Sequence, residues 1–322
     1  MGKRFTKVKQ TIKNEMPKTR KGLFYGLFIG SIVLPIALGV VGGIVYSKFF
    51  VAKKADYSNV DANSLYVNMD NLLAKYEDVK NAGTPYEEGL TSYELVNIAY
   101  HNYASYENSR SFTLGTASAA IVEQSIRACS IRNGNNYFEE SLSKSNMVGV
   151  AARMYQKEDT SIDLHRGEAI DAVTASWGNE HYEYTFDEFT NDFGKTPSTP
   201  LIYIISKKTV MSGTDTVEKV EDGYKITMSL NPVKSVINYV KQMKSISDLY
   251  DYPAFSYINL TFHINNDLLI NQLDIDESYY ALKEANLGAD TTANVSVYYE
   301  VDGGFTIPTL SDALVYPEME AK

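Results

Sequence analysis

The feature that most constrains this chain is a run of 25 residues without a charged side chain, from Leu23 to Ser47. An α-helix rises about 1.5 Å per residue, so this run is long enough to cross a hydrocarbon core of about 30 Å. The sequence therefore predicts one transmembrane helix at 23–47, with Pro35 kinking it near its middle.

The charges on the two sides of this run are asymmetric. Residues 1–22 hold eight Lys and Arg against one Glu, whereas residues 51–322 hold 21 Lys and Arg against 39 Asp and Glu. Because basic flanks stay in the cytoplasm, we expect the amino terminus inside the cell and the acidic part outside, in a single-pass cell-membrane protein. Anionic headgroups of the lipid bilayer explain the basic tail, so no nucleic acid partner is expected.

A cleaved signal peptide is the alternative interpretation of the same run. Its apolar region is usually about 7–15 residues long, which is shorter than this one. Ala37-Leu38-Gly39 is only a weak cleavage-like triplet. An uncleaved signal anchor is therefore favoured.

Small residues recur every four positions in and beside the apolar run. They are Gly22, Gly26 and Gly30, followed by Gly39, Gly43 and Ser47. This spacing lets two helix backbones approach closely, which favours a membrane-helix partner. Glycine is also common in membrane helices that do not pair, and that reading stays open.

Helical spacing predicts three helices beyond the membrane segment. They extend from Leu65 to Tyr76, from Thr91 to Tyr106, and over Pro232–Leu249. Thr91 with Glu94 three residues later is a capping-box pattern, and Asn231-Pro232 supplies a cap residue and a proline at the first helical position.

Alternation of apolar and polar residues predicts the strands, most clearly from Ser256 to Ile264. Asn133-Gly134 and Asp222-Gly223 predict hairpin turns. Other expected strands are 112–132, Asn136–Leu142, Met147–Lys157, Ser161–Arg166, Leu201–Ser206, Thr216–Val220, Tyr224–Leu230, 269–275, 295–301 and Phe305–Leu310. Residues 167–199 are ambiguous, with a short helix expected from Tyr184 to Phe193.

These elements place the chain in the α+β class, because alternation of this kind buries one face of an antiparallel sheet. We predict a single N-terminal transmembrane helix followed by a curved antiparallel β-sheet, a half-barrel, packed on a few helices. The expected divisions are a basic tail at 1–22, the membrane helix at 23–47, a linker with a juxtamembrane helix at 48–90, and an extracytoplasmic domain at 91–322.

No set of residues assembles into a catalytic site. Gly194-Lys195-Thr196 lacks the first glycine of a phosphate-binding loop, and Ser141 with Lys144 lies on an expected hairpin arm, where a penicillin-recognising enzyme has a helix start. We therefore expect no enzyme and no cofactor. The best enzymatic alternative is a wall- or glycan-processing hydrolase that uses a carboxylate pair such as Asp187 and Asp192.

Metal and thiol chemistry are also not expected. The single cysteine, Cys129, excludes disulfide frameworks and multi-cysteine metal sites, and it suits a bacterial cell envelope. Because it lies in an alternating strand, we expect a small core or surface residue and no nucleophile. His181 with Glu183, or His165 with Glu168, could ligate a metal ion. Isolated His and Glu neighbours are usually surface residues, however, and that interpretation is favoured. The acidic residues Asp274, Asp276 and Glu277 lack the glycine and spacing of a calcium loop.

Tyrosine dominates the aromatic residues, with 25 Tyr against 13 Phe and one Trp. Tyrosines crowd one helix at Tyr93, Tyr100, Tyr103 and Tyr106 and flank a strand at Tyr250, Tyr252 and Tyr257. Tyrosines can line a ligand cleft. They can also take the place of Phe in a hydrophobic core with the hydroxyl reaching the surface, and this second interpretation is favoured.

The order of elements resembles the lipoprotein-carrier (LolA-like) superfamily over residues 90–310. The likeness rests on the leading helix Thr91–Glu107, the first long hairpin around Asn133-Gly134, and Tyr298-Tyr299-Glu300-Val301 leading to Ile307-Pro308. The resemblance implies an incomplete antiparallel barrel that wraps around helices and encloses an apolar cavity for acyl chains.

Two functions are compatible with this sequence. In the first, the sheet and the helix Pro232–Leu249 enclose a lipid or other apolar ligand, lined by Ile258, Leu260, Phe262, Val295, Val297 and Tyr299. In the second, the same residues form a solid core, and the protein is a non-enzymatic envelope scaffold or accessory subunit that pairs with another membrane protein. A pocket wall and a core have the same sequence pattern, so the space between sheet and helices decides between them.

Overall fold

The computed structural model describes residues 54–119, 122–146, 149–158, 160–171, 173–193, 203–247, 249–284 and 287–318. The basic tail at 1–22 and the membrane helix predicted at 23–47 lie outside these ranges, as do the glycines at four-residue spacing that were predicted to pair with a partner helix. None of the helices within the ranges is both long enough and apolar enough to span a bilayer.

The helices of the described residues are few and short. A 3-10 turn covers Ala62–Leu65, and the α-helices are α1 (Met69–Asn81), α2 (Tyr86–Gly89), α3 (Ser92–Ser105), α4 (Phe186–Phe193) and α5 (Ile237–Ser247).

The strands form one large antiparallel sheet. They are β1 (Asn108–Ala119), β2 (Val122–Asn133), β3 (Asn136–Ser145), β4 (Gly149–Lys157), β5 (Ser161–Ala169), β6 (Ala175–Thr185), β7 (Thr216–Val220), β8 (Gly223–Ser229), β9 (Ala254–Asn265), β10 (Ile270–Glu284) and β11 (Leu287–Val301). Their order is β6-β5-β4-β3-β2-β1-β11-β10-β9-β8-β7, so sequence neighbours pair on each side of one long-range contact between β1 and β11. The expected α+β class with a large antiparallel sheet is confirmed.

Local signals placed several elements correctly. The capping box at Thr91 and Glu94 is present, and α3 begins at Ser92. The hairpin at Asn133-Gly134 joins β2 to β3, with Gly134 in the left-handed region at φ 59°. The hairpin at Asp222-Gly223 joins β7 to β8.

The helix predicted from Pro232 begins later, at Ile237. The Asn231 side chain does accept hydrogen bonds from the backbone N–H groups of Val233 and Lys234, as a cap residue would. However, the Ser235 carbonyl accepts a 2.8 Å bond from the backbone of Ile204. Because that carbonyl is engaged outside the helix, residues 232–236 stay as turns.

Other boundaries also differ from expectation. The juxtamembrane helix begins at Met69, with a separate 3-10 turn before it. The ambiguous segment contains β6, and its helix begins at Phe186 instead of Tyr184. Residues 203–206 and 305–310 are not strands. A side chain replaces strand pairing at the start of segment 305–310. The amide nitrogen of Asn108 donates a hydrogen bond to the Phe305 carbonyl, and its amide oxygen accepts one from the Phe305 N–H.

The sheet has two faces with different coverings, here named the inner and the outer face. The inner face carries Leu273, Ile275 and their cross-strand neighbours, which pack against α1, α3 and α5 in the main core. At the far end of the same face, Phe189 of α4 packs on β4 and β5. On the outer face, the segment 302–318 crosses β1 to β4 and buries Tyr316.

Candidate functional site

The six residues predicted to line a pocket lie together on the inner face. Ile258, Leu260 and Phe262 are on β9, and Val295 and Val297 are on β11, with none of these five more than 2% exposed. Tyr299 is half-buried at their side. Strand β10 joins the two groups, since Leu273 pairs with both Phe262 and Val297. The sequence therefore placed these side chains on a common face.

Side chains of α3 fill the space over part of this face. The Tyr100 ring lies 6.3 Å from Phe262 and 5.9 Å from Tyr299, both edge to face. The hydroxyls of Tyr100 and Tyr299 are 3.0 Å apart, and the Tyr103 ring is 5.0 Å from Tyr299. Burial raises the pKa of Tyr103 to about 12, so its hydroxyl stays neutral. These contacts are those of a tyrosine-rich core.

A second group of tyrosines lies just before β9 and within its start. Tyr250 is 58% exposed and Tyr257 is 38% exposed. Tyr252 is half-buried, with its ring 5.9 Å from that of Tyr57. They do not converge on the side chains of α3 in one aromatic platform.

A buried carboxyl lies within the main core. Glu277 on β10 is completely buried and accepts hydrogen bonds from the Tyr203 hydroxyl at 2.5 Å and the Tyr239 hydroxyl at 3.2 Å. Burial raises the pKa of Glu277 from 4.5 to about 7, although the two tyrosine hydrogen bonds act in the opposite direction. Glu277 therefore titrates near neutral pH inside the domain.

Sequence reasoning grouped Glu277 with Asp274 and Asp276, but the structure separates them. Asp276 accepts a 3.0 Å hydrogen bond from Tyr257 on the outer face. Glu277 pairs with Ile258 and Ala293 and shares their inward direction. The sequence signal that could have located Glu277 is the two-residue repeat of a strand. Leu273, Ile275 and Glu277 are spaced by two residues, so all three side chains project to the same face.

An open cleft of about 350 Å³ lies beside the main core. It is bounded by the turn before α1, by α1 itself, by the start of α3, and by the loop after Tyr203. The lining residues are Ser64, Leu65, Tyr66, Val67, Asn68, Asn71, Leu72, Lys75, Tyr93, Glu94, Ser206, Lys207 and Lys208. None of the six predicted lining residues is among them.

The cleft combines an apolar floor with cationic groups. Leu65 and Leu72 are buried beneath it. Lys75 donates a 2.6 Å hydrogen bond to Glu94, and Lys208 donates one of 2.6 Å to the Ser64 carbonyl. Lys207 adds a third ammonium group to the lining. Three lysines against one glutamate leave an excess of positive charge.

Of the side chains weighed for catalysis, Ser141, Lys144, Cys129 and Asp187 lie among the described residues. Ser141 and Lys144 lie three residues apart on β3, so they project to opposite faces. Cys129 is completely buried in the core cluster on the outer face, and this burial raises the pKa of its thiol to about 12. Asp187 is exposed on α4, and the side chain of Asp192 lies outside the described residues.

The histidines form one unexpected group. Two of the four histidines lie outside this group. His263 Nε2 is 3.5 Å from a carboxylate oxygen of Asp274, and His101 is exposed on α3. Glu168 lies on the opposite face of β5 from His165, so these two neighbours in sequence do not face each other. His165 and His181 instead lie beside Asp163. Burial, and then the neighbouring His181, lower the pKa of His165 below 6.5.

No family model matches the chain, and no curated protein matches it. Among solved structures, the chain is similar to a DUF1329 family protein from Desulfovibrio piger ATCC 29098, with 10% identity and a TM-score of 0.24 over 67% of this chain and 93% of that one. A similarity at this level carries no argument about function.

Proposed function

We propose that this chain is a membrane-anchored extracytoplasmic binding protein for an amphipathic, anionic molecule such as a lipid. The cleft between α1 and α3 is the site we assign to the ligand. Its apolar floor and three lysines are the single observation that carries this proposal. We propose no catalytic role.

The size and chemistry of the cleft support a small amphipathic ligand. Ligand sites generally begin at roughly 300 Å³ and combine apolar walls with a few polar groups that set orientation. Leu65, Val67 and Leu72 would contact the apolar portion of the ligand, and Lys207 and Lys208 would face its anionic group. This assignment moves the ligand from the predicted half-barrel interior to the side of the core.

A bilayer lipid is the favoured ligand, because the predicted anchor would hold the cleft close to a membrane. The cleft lining begins at Ser64, in the segment 48–90 that directly follows the predicted membrane helix. A lipid headgroup carries the phosphate that the lysines would bind, while part of its acyl chain would cover the apolar floor.

The test uses full-length protein purified from membranes in a mild detergent. Organic extraction followed by mass spectrometry is expected to recover a lipid at about one per chain. Val67→Trp fills the cleft and is expected to abolish recovery, whereas Val217→Trp, at a half-buried valine on β7, is the matched control and should retain the lipid. Equal recovery from both variants, or no lipid from the unaltered protein, would overturn the proposal.

The scaffold function is the second candidate. The observation that favours it is the burial of the predicted pocket lining, since five of its six residues are at most 2% exposed and pack in the main core. In that case Gly26 and Gly30 would mediate pairing of the membrane helix with a partner. Gly26→Leu with Gly30→Leu should then abolish co-purification of that partner while leaving lipid recovery unchanged.

The anchor itself has a direct test. Protease treatment of intact cells is expected to remove the outer domain and leave a protected fragment of about 50 residues, the length of a tail plus one bilayer-spanning helix. Protection of the whole chain would contradict the proposed topology.

A further inference from the structure

Two neighbouring strands at one end of the sheet place two histidines and two carboxylates together. His165 on β5 is directly opposite His181 on β6, and Asp163 is directly opposite Glu183. Cross-strand partners project to the same face of an antiparallel pair. All four side chains therefore project from the outer face, whereas Leu65 and Leu72 of the cleft belong to the core on the inner face.

The side chains in this patch converge. The two imidazole rings are stacked, with centroids 4.6 Å apart and planes inclined by 11°. One Asp163 oxygen contacts His181 Nε2, and the other lies 3.9 Å from His165 Nε2. One ligand atom from each of Asp163, His165 and His181 lies within 4.8 Å of the other two.

We propose that Asp163, His165 and His181 bind a divalent transition-metal ion such as Zn²⁺. Imidazole nitrogen and carboxylate oxygen are its common protein ligands, at bond lengths of about 2.0–2.2 Å. Binding one ion would require side-chain rotations that bring the three ligand atoms, now within 4.8 Å of one another, to such distances from it. Glu183, opposite Asp163, is the candidate for a fourth ligand.

The surroundings of the patch are compatible with a bound cation. The Tyr155 ring lies edge-on to His165, with centroids 5.8 Å apart. Arg153, the cation opposite His165 on β4, is engaged by Glu140 and by three backbone carbonyls. His181 and Asp163 have side-chain exposures of 40% and 44%, so the ion has access from solvent.

The metal would add a side-chain cross-link between β6 and β5 to the backbone hydrogen bonds that already pair them. In the order of the described strands, β6 is at the end and pairs only with β5. A metal held by His165 from one strand and His181 from the other would cross-link that pair, and its binding free energy would add to the stability of the folded state.

The experiment uses full-length protein without a histidine tag, stripped with a chelator and titrated separately with Zn²⁺ and Co²⁺. We expect one ion per chain, a visible Co²⁺ absorption spectrum indicating nitrogen ligands, and a raised melting temperature. His165→Ala and His181→Ala should each weaken binding by more than the roughly 10–100-fold caused by losing an outer hydrogen-bond partner of a metal ligand. Asp163→Asn, which preserves shape, should also weaken it.

His263→Ala is the matched control. His263 lies 3.5 Å from the Asp274 carboxylate on another part of the sheet, so the substitution removes a histidine beside a carboxylate without touching the proposed ligands. It should leave the affinity and stoichiometry unchanged. Absence of binding by both ions, or equal affinity in the His165, His181 and His263 variants, would overturn the metal site. This outcome is independent of lipid recovery, so the two proposals fail separately.

Discussion

Arg153 and Glu140 form an ion pair across the ladder between β4 and β3, with each side chain only 3% exposed. The second oxygen of Glu140 accepts a 2.7 Å hydrogen bond from the Tyr316 hydroxyl. The guanidinium of Arg153 donates to the carbonyls of Thr309, Leu310 and Asp312 at 2.7–2.9 Å. The pair therefore attaches the segment 302–318 to the outer face of the sheet.

Arg153→Ala is expected to destabilise the protein strongly. It leaves the Glu140 carboxylate buried without a counter-charge, which typically costs about 3–5 kcal/mol. Urea unfolding measures the change in the free energy of unfolding. Lys54→Ala is the control, because Lys54 and Asp251 form an exposed pair at 3.5 Å, and such pairs contribute about 0–1 kcal/mol. Similar losses in both variants would contradict a dominant role for the buried pair.

Stability is expected to fall as pH rises through the titration of Glu277. Its pKa in the folded protein is about 7, against 4.5 for the free group. Between these values the folded state binds more protons than the unfolded state, so ionisation favours unfolding. The contribution is fully present below about pH 4.5 and lost above about pH 7, with a magnitude of roughly 3 kcal/mol.

Glu277→Gln tests this prediction, because glutamine does not titrate. The stability of the variant relative to the unaltered protein should increase between pH 5 and pH 8. Glu218→Gln replaces an exposed residue of β7 and should show no such change. A pH dependence that survives Glu277→Gln would assign the effect to another group.

Gly115→Ala is expected to disrupt the central pairing of β1 with β11. A Cβ atom at Gly115 would lie 2.4 Å from the backbone oxygen of Asn294 and 2.8 Å from the Cα of Val295. Overpacking of this kind typically costs about 1–3 kcal/mol. Gly178→Ala on β6 is the control, since the nearest atom there is 3.6 Å away. Thermal unfolding should separate the two variants, and equal melting temperatures would refute the steric argument.

Thr91→Ala should weaken the start of α3. The Glu94 side chain accepts hydrogen bonds from the Thr91 backbone at 2.8 Å and from its hydroxyl at 2.9 Å. Removing a cap residue of this type costs about 0.5–2 kcal/mol. Ser105→Ala, at the exposed C-terminal end of the same helix, should change the free energy of unfolding by less than about 0.5 kcal/mol. The expected order fails if Ser105→Ala is the more destabilising variant.

Much of the fold was predictable because its signals are local. The capping box at Thr91, the Asn133-Gly134 hairpin and the alternation in β9 each depend on residues within one turn or one strand. Local spacing also identified the inward face that carries Ile258, Leu260 and Phe262. The half-barrel resemblance and the membrane anchor remain predictions, since no finding here tests them.

The sequence by itself thus determined the antiparallel α+β class, most strands and the common face of the pocket candidates. The tertiary structure decided which groups meet. Tyr203 reaches Glu277 across 74 residues, and Tyr316 reaches Glu140 across 176. The pairing of β1 with β11 joins segments that are far apart in the chain, and strand register then selects the neighbours of each side chain. Contacts of this kind depend on the packing of whole elements, which local residue spacing does not specify.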